Sequence, residues 1–228
     1  MSAFHRKEMA ASRPETDKKI ESDFLQLRNE MVDLQIESRG VKDRAVLYAM
    51  HEIPRHLFVP ESSIHSAYED CPLPIGSGQT ISQPYIVALM TELLNVERND
   101  TILELGSGSG YQAAVLSRIV KKVYSVERIP ELLDKAKQVW KKLGYNNIEG
   151  FSCNGWDGLE DCAPFDGIIV TAAAAWLPEK LVQQLITGAK MVIPIGEWEQ
   201  QLWVIEKTDD GYTKSPSIWV RFVPLIEE

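Results

Sequence analysis

Apolar side chains recur at helical spacing in the first hundred residues of the chain. Gly40 follows the best-defined stretch as a residue typical of a helix C-terminus, and Pro54 stops a second, shorter stretch. The predicted helices in this part are residues 22–38, 43–53 and 85–94. The prolines and turn residues between positions 54 and 80 predict a loop region without regular elements.

From residue 100 onward, short apolar segments of strand length alternate with helical segments. The predicted strands are residues 101–105, 122–126, 148–152, 165–171, 189–195, 201–207 and 218–223. The predicted helices are residues 111–119, 130–143 and 178–185. This alternation predicts an α/β fold, with a Rossmann-like, doubly wound and mostly parallel sheet and added N-terminal helices. The turn at residues 209–211 predicts that the last two strands are antiparallel.

The composition of the 228 residues is that of a globular protein, with 44% hydrophobic and 25% charged residues. Residues 1–20 are polar and predict a loose tail. Residues 21–228 contain no internal repeat, low-complexity segment or interior linker. We therefore expect them to form a single domain.

Acidic residues outnumber basic residues 33 to 24, which gives a formal net charge of −9. Because nucleic-acid-binding proteins usually carry a basic footprint, we expect no nucleic-acid partner. No apolar run approaches the roughly 18–20 residues of a membrane span, and the N-terminus lacks the apolar centre of a signal peptide. We expect a cytoplasmic, monomeric protein without membrane attachment.

The cysteines and histidines form no pattern of metal ligands. Cys71, Cys153 and Cys162 show no Cys-x-x-Cys spacing, and the four histidines lie between positions 5 and 65. This number and spacing are typical of reduced thiols in a cytoplasmic protein. We expect neither a disulfide framework nor a metal site.

The clearest chemical signal is a strand followed by a glycine-rich turn and a helix. Gly106, Gly108 and Gly110 occupy alternate positions, where they allow the backbone to turn sharply and approach a ligand. Ligands of open α/β sheets bind beyond the carboxyl ends of the strands. A dinucleotide fingerprint would place its third glycine at Tyr111, so the close helix packing of a pyrophosphate site is not expected here.

An acidic residue ends the next predicted strand. Glu127 follows Gly106 by 21 residues and can accept hydrogen bonds from both hydroxyls of a ribose. This arrangement fits an NAD-type ligand or an adenosine ligand without a pyrophosphate. The alternative is a plain turn and a solvated strand end. We favour the nucleoside site because strand, turn, helix, strand and acid occur in the order that it needs.

These residues also carry a family resemblance. LELGSGSGYQAAVLS and VYSVER resemble the first two motifs of class I S-adenosylmethionine-dependent methyltransferases, and FDGIIVTAAA and LITGAKMVIPIG resemble the following ones. LPIGSGQTISQP, at residues 73–84, closely resembles the signature of protein-L-isoaspartate (D-aspartate) O-methyltransferases, and VRFVPL, at 220–225, is similar to their ending. The resemblance runs from about residue 22 to residue 226.

The resemblance implies an enzyme that uses S-adenosyl-L-methionine to methylate the carboxylate of L-isoaspartyl or D-aspartyl residues. The resulting ester initiates repair through a succinimide, and the expected partners are isoaspartyl peptides and flexible protein segments. The cofactor core would span residues 100–196, and residues 21–99 and 197–228 would cover the substrate. Alternatives are a methyltransferase of the same fold acting on another acceptor, or a non-catalytic cofactor-binding module. A nicotinamide-dependent oxidoreductase is disfavoured by Tyr111.

The resemblance also assigns site residues. Ser82 is the expected catalytic residue and would hold the substrate carboxylate or backbone, with an N-cap as its alternative role. Arg221 is expected either to contact the substrate or to be a strand-edge charge. The expected cofactor contacts are Gln79, Thr80, Ile81, Ser82, Gly106, Gly108, Gly110, Glu127, Asn154 and Gly155.

Two positions depart from the family pattern. One is Gly188-Ala189, where the family commonly has Gly-Gly, and the other lies in the expected cofactor site. The family usually has Gly-Asp-Gly near the adenine amino group, where this chain has Cys153-Asn154-Gly155. The Asn154 oxygen can still accept a hydrogen bond from adenine, but it carries no charge. We expect cofactor binding to survive and to be weaker.

Overall fold

The computed structural model describes residues 19–227, and a seven-stranded sheet forms its centre. The strands are β1 (Leu73–Gly76), β2 (Gln79–Ile81), β3 (Thr101–Leu105), β4 (Lys122–Glu127), β5 (Ile148–Ser152), β6 (Phe165–Val170), β7 (Leu185–Ile195), β8 (Gln200–Thr208) and β9 (Gly211–Val220). The α-helices are α1 (19–30), α2 (Arg44–Glu52), α3 (Pro84–Leu94), α4 (Tyr111–Ser117), α5 (Pro130–Leu143) and α6 (Glu179–Gln183).

The strand order of the large sheet is β5-β4-β3-β6-β7-β8-β9. Strands β3 to β7 are parallel, whereas β8 is antiparallel to both of its neighbours. The chain builds outward from β3 to β5 and then returns to β6, so the winding direction reverses between β3 and β6. The predicted fold class is confirmed, with an additional antiparallel pairing between β7 and β8.

Apolar clusters lie on both faces of the sheet. The neighbouring residues Ile102 and Leu103 of β3 belong to different clusters, because successive side chains of a strand point to opposite faces. Every residue of α4 is buried, and the Tyr111 hydroxyl of this helix contacts the Met50 sulfur of α2. The N-terminal helices therefore cover the helix that follows the glycine turn.

The first helix is longer than predicted. α1 continues through a π-helical turn, Met31–Ile36, and a 3-10 turn, Glu37–Arg39, and ends at Gly40, whose φ is 102°. The predicted end at this glycine is confirmed. Most of the expected loose tail, residues 1–18, lies outside the described residues, and residues 19–20 are already helical.

The predicted loop region between residues 54 and 80 is wrong in part, because it contains regular elements. Two 3-10 helices, Arg55–Phe58 and Glu61–Ser66, precede the antiparallel hairpin of β1 and β2. Ser77 and Gly78 connect these strands with φ values of 52° and 70°. Positive φ at both central positions matches the twist of a two-residue hairpin, so this Ser-Gly pair forms a turn between strands.

Two C-terminal predictions are also corrected. β9 begins at Gly211 and ends at Val220, so the predicted strand at 218–223 was placed too late. The chain then leaves the sheet and binds the end of β6, where Ala173 N donates to the Val223 carbonyl at 2.8 Å. The predicted helix at 178–185 shortens to α6 because Leu185 already begins β7.

Within residues 19–227, no helix combines the length and apolar character needed to cross a bilayer. In the same range, no three metal-ligating side chains cluster. Cys71, Cys153 and Cys162 are all free thiols.

Candidate functional site

A cavity of about 320 Å³ opens at the carboxyl end of the sheet, where the winding direction reverses. Its size is that of a small-molecule site. Six loop or strand-end segments, together with α3 and the start of α4, contribute to its wall. The lining residues are Ser77, Gln79–Ser82, Val87, Met90, Gly106–Ser109, Tyr111, Gln112, Val126–Ile129, Asn154, Gly155, Thr171, Ala172 and Val223–Ile226.

Gly106 follows β3 at a position with no space for a side chain. Its φ is 97°, and a Cβ atom there would lie 2.4 Å from Thr171 Oγ1. The Thr171 hydroxyl oxygen lies 2.7 Å from the Gly106 carbonyl oxygen and 3.0 Å from the Leu105 carbonyl oxygen, so its one proton is shared between these acceptors. Because Thr171 occupies the space of a side chain, the Gly106 backbone borders the cavity without one.

Gly110 has a different role from the one expected. It is absent from the cavity lining, and a Cβ atom there would lie 2.6 Å from Trp140 Nε1 of α5. The indole N–H donates to the Gly110 carbonyl at 2.9 Å. The glycine spacing did not predict close helix packing here. The structure nevertheless shows it at Gly110, between α4 and α5.

The Glu127 carboxylate, at the end of β4, is buried and lines the cavity. Its Oε2 accepts from Gly108 N at 2.8 Å, and its Oε1 accepts from Ile129 N at 3.0 Å. Each carboxylate oxygen can accept a second hydrogen bond. Glu127 thus fixes the glycine turn and keeps acceptor capacity beside the cavity.

A buried polar chain, missed in the sequence, lies beneath the glycine turn. Ser125 Oγ bonds to the Glu104 carboxyl group, and the hydroxyls of Ser125 and Ser107 lie 2.5 Å apart. Burial raises the pKa of Glu104 to about 8, so this group is mostly protonated at neutral pH. The signal in the sequence was a single acid within the apolar strand TILEL.

The Ser82 segment, residues 79–83, borders another part of the cavity through its first four residues. Gln79, Thr80, Ile81 and Ser82 all line the cavity, as expected for a covering loop. The N-cap of α3 is Gln83, not Ser82, so the alternative role of Ser82 as a cap is wrong. The Ser82 carbonyl accepts from Arg55 Nη2 at 2.7 Å, while no described residue hydrogen-bonds to its hydroxyl.

Asn154 and Gly155 line the cavity after β5. Asn154 Oδ1 accepts from Trp156 N at 3.0 Å, and its Nδ2 donates to the Glu227 carbonyl at 2.7 Å. The side chain thus ties the chain end to this loop. An aspartate could not donate that second bond.

The C-terminal segment, residues 221–227, contributes residues that the sequence did not single out. Val223 to Ile226 line the cavity, whereas Arg221 is exposed and absent from the lining. Leu225 N donates to the Ala173 carbonyl at 2.7 Å, which holds the segment across the end of β6. The family-like ending was visible in the sequence, but its packing on β6 was not.

Comparisons with a family model, with related sequences and with solved structures agree with the family resemblance of the sequence. The family model for protein-L-isoaspartate(D-aspartate) O-methyltransferase matches residues 26–228. A protein-L-isoaspartate O-methyltransferase from Vibrio parahaemolyticus is 54% identical over 189 residues, which are 83% of this chain and 91% of the relative. One from Methanospirillum hungatei is 50% identical over 200 residues, which are 87% and 93% of the two chains.

Solved structures share the fold. A protein-L-isoaspartate O-methyltransferase aligns with a TM-score of 0.80 and 30% identity, covering 86% of this chain and 65% of that chain. A beta-aspartate methyltransferase from Plasmodium falciparum, in complex with S-adenosyl-L-homocysteine, aligns with a TM-score of 0.78 and 28% identity. That match covers 88% of this chain and 99% of the other.

The strand order, the bare glycine turn and the acid at the end of β4 define a Rossmann-like methyltransferase of the class that uses S-adenosylmethionine. The family model and the relatives cover most of the sequence. The chain belongs to the protein-L-isoaspartate (D-aspartate) O-methyltransferase family. It is an enzyme of protein repair that methylates isoaspartyl residues, and the activity and cofactor expected from the sequence are confirmed.

Proposed function

We propose that this one cavity holds the cofactor and the isoaspartyl carboxylate on opposite walls. Glu127 would bind the ribose hydroxyls, Gly106 and Gly108 would let the cofactor approach the backbone, and Asn154 and Gly155 would border the adenine. The Ser82 segment would receive the acceptor. One observation carries this assignment: residues far apart in sequence, Ser82 and Glu127 among them, line a single cavity.

The residues present fit S-adenosylmethionine. Ribose hydroxyls need acceptors, and the Glu127 carboxylate has unused acceptor capacity beside the cavity. A ligand that lies against the main chain needs a wall without side chains, and Gly106 provides it. When bound, S-adenosylmethionine supplies an electrophilic methyl group on its sulfonium.

The chain's own residues then have a limited task. The acceptor carboxylate is ionised at pH 7, so no general base is required to make it a nucleophile. The enzyme must orient this group and exclude water, and positioning of reacting groups can contribute roughly 7–11 kcal/mol. A carboxylate that leaves water needs donors, and we propose the Ser82 hydroxyl as one of them.

The two segments that border the cavity limit which substrates can reach it. The Ser82 segment and the C-terminal segment both line the cavity. Backbone hydrogen bonds hold the first to β1 and the second to Ala173, in the loop after β6. Only a chain flexible enough to enter between them can present an isoaspartyl group. We therefore propose flexible or unfolded segments as substrates, with L-isoaspartyl or D-aspartyl residues as the acceptors.

We further propose a single monomeric domain over residues 21–228, located in the cytoplasm and without a nucleic-acid partner. The two apolar clusters meet at neighbouring residues of β3, which supports one continuous unit. The net charge of −9 disfavours nucleic acid. Light scattering after size exclusion should give the monomer mass, and urea should produce one cooperative transition. A dimer mass or two transitions would contradict the proposal.

The direct test uses labelled S-adenosylmethionine with two peptides that differ only in Asp or isoaspartate. We expect base-labile methyl ester on the isoaspartyl peptide alone. A second peptide pair with D-aspartate and L-aspartate tests the finer specificity. Cofactor binding without transfer would favour a non-catalytic module, and equal labelling of both peptides would favour another acceptor.

A further inference from the structure

Arg55 is among the largest side chains that are fully buried in the described protein. It begins a 3-10 helix directly after Pro54. Its Nε donates to the Ala67 carbonyl at 2.8 Å, and its Nη2 donates to the Ser82 carbonyl at 2.7 Å. The guanidinium also lies 4.9 Å from the ring centre of Tyr111. One cation thus joins three separate parts of the chain.

This group keeps its charge at neutral pH. Burial lowers the pKa of Arg55 to about 10, which is still well above 7. Within residues 19–227, no carboxylate lies within ion-pair distance of the guanidinium, and its Nη1 has no hydrogen-bond partner. Burying a cation in this way is costly for folding. Packing alone would be served better by an apolar side chain of similar length.

The position of the charge relates it to the cavity. Ser82 and Tyr111 both line the cavity, and the guanidinium contacts both from behind. The next residue is held as well, because Gln83 Nε2 donates to Asp70 Oδ2 at 2.7 Å. The same carboxylate oxygen accepts from Arg39 at 2.6 Å. The backbone at Ser82 is therefore fixed by Arg55, and its neighbour by Asp70.

We propose that Arg55 is a positioning residue for the acceptor, an inference that rests on the proposed function of Ser82. Its Nη2 donor fixes the Ser82 carbonyl while its Nε donor holds the guanidinium on the Ala67 carbonyl, so that the serine hydroxyl faces the isoaspartyl carboxylate. Its positive charge, directly behind the wall, favours entry of an anionic group into an acidic protein. The planar fork of the guanidinium sets the orientation, and the charge sets the affinity for the acceptor.

Two substitutions separate these contributions. Arg55→Met removes both, and we expect kcat to fall about tenfold or more and KM for the isoaspartyl peptide to rise about tenfold. Arg55→Lys keeps the charge but cannot reach both carbonyls with a fixed fork. It should restore KM to within about threefold of the parent, while kcat stays about tenfold lower.

Cofactor affinity distinguishes a positioning role of Arg55 from a purely structural one. S-adenosyl-L-homocysteine affinity, measured by calorimetry, should stay within about threefold of the parent in both variants, because Arg55 does not line the cavity. Arg118→Met is the matched control, since Arg118 is a partly exposed residue 3.7 Å from Glu52. All of its constants should be parental.

Parental kcat in folded Arg55→Lys would overturn the inference, as would a loss of cofactor affinity that equals the loss of turnover. If Arg55→Met does not fold, Arg55→Lys alone decides. A parent protein that leaves the isoaspartyl peptide unlabelled would instead overturn the proposed function, and this inference with it.

Discussion

At the scale of single residues, the two walls of the cavity differ in how much of their hydrogen bonding is already used. The acid Glu127 is bound to two backbone N–H groups, whereas the Ser82 hydroxyl has no partner among the described residues. The Glu127 carboxylate is already oriented by the fold, which suits the cofactor hydroxyls that we propose it binds. The Ser82 hydroxyl is free to donate, which suits the carboxylate that arrives with each substrate.

Ser82→Ala tests this difference. A hydrogen bond to a charged group contributes about 1.5–3 kcal/mol, so kcat should fall by about 10- to 150-fold. Affinity for S-adenosyl-L-homocysteine should not change, and neither should the thermal midpoint, because Gln83 rather than Ser82 caps α3. Ser63→Ala, outside the cavity, is the control. Equal losses of turnover and cofactor affinity would assign Ser82 to the cofactor wall.

Asn154→Asp has two expected effects. A charged oxygen near the adenine amino group should tighten S-adenosyl-L-homocysteine binding, if the adenine lies where we propose. The loss of the donor to the Glu227 carbonyl should increase hydrogen exchange in residues 223–227 by about three- to tenfold. Calorimetry and exchange mass spectrometry measure the two effects. Asn146→Asp, at an exposed turn, should change neither.

Glu104 makes stability depend on pH with a definite sign. Its folded pKa of about 8 exceeds its ordinary value of 4.5, so the folded state binds more protons between these values. Its contribution to the free energy of unfolding is complete below about pH 4.5 and is lost as the pH rises toward 8. Urea unfolding at pH 5, 6.5 and 8 should show a smaller decline for Glu104→Gln than for the parent. The exposed Glu149→Gln should retain the parental slope.

At the scale of elements, the packing of α4 on α5 depends on a missing side chain. Gly110 and Gly144 have positive φ values of 84° and 75°, but only Gly110 would bring a Cβ atom into contact with another residue. Gly144→Ala should lower the free energy of unfolding by about 1–2 kcal/mol for backbone strain alone. Gly110→Ala should lower it by about 2–5 kcal/mol, because overpacking against Trp140 adds to that strain.

Urea denaturation measures the free energy of unfolding of both variants. The difference between their losses is the cost of the overlap with Trp140. Equal losses would mean that Trp140 moves aside without cost. Since Gly110 does not line the cavity, a folded Gly110→Ala protein should lose stability without a selective loss of cofactor contacts.

The elements were predictable where the local pattern was sufficient. The strands β3 to β6 and the helix α5 follow from apolar runs and helical spacing, and α5 matches its predicted ends. The β1–β2 hairpin was missed because its glycines and prolines also suit a loop, and strand pairing is decided by tertiary contacts. The end of β9 was misplaced because the apolar residues after Val220 pack on the end of β6 rather than in the sheet.

The candidate site divides in the same way. Sequence motifs predicted the glycine turn, Glu127 and the Ser82 segment as parts of the site. All three line the same cavity. Arg55 carries no local motif, since it matters through groups distant in sequence, and no spacing along the sequence reports its burial. Glu104 left one signal, a single acid within an apolar strand, but its serine partners became visible only in the folded chain.

At the scale of the whole molecule, the net charge of −9 opposes an acceptor that is itself anionic. Long-range repulsion is screened as the Debye length falls from about 30 Å at 0.01 M salt to about 8 Å at 0.15 M. KM for an acidic isoaspartyl peptide should therefore fall over this range, with kcat nearly constant. A peptide with lysines beside the isoaspartate should show the reverse trend. A KM for both peptides that is independent of salt would contradict this view.

Strand β9 forms one edge of the large sheet and is ten residues long. Unprotected edges of this length recruit other extended chains and lead to aggregation. Pro216 lies within the strand and lacks an N–H, and Lys214 places a charge nearby, so the outer ladder is interrupted. If its substrates are unfolded segments, as we propose, the enzyme meets many potential strand partners. We therefore expect the interrupted edge to limit strand pairing between the enzyme and such chains.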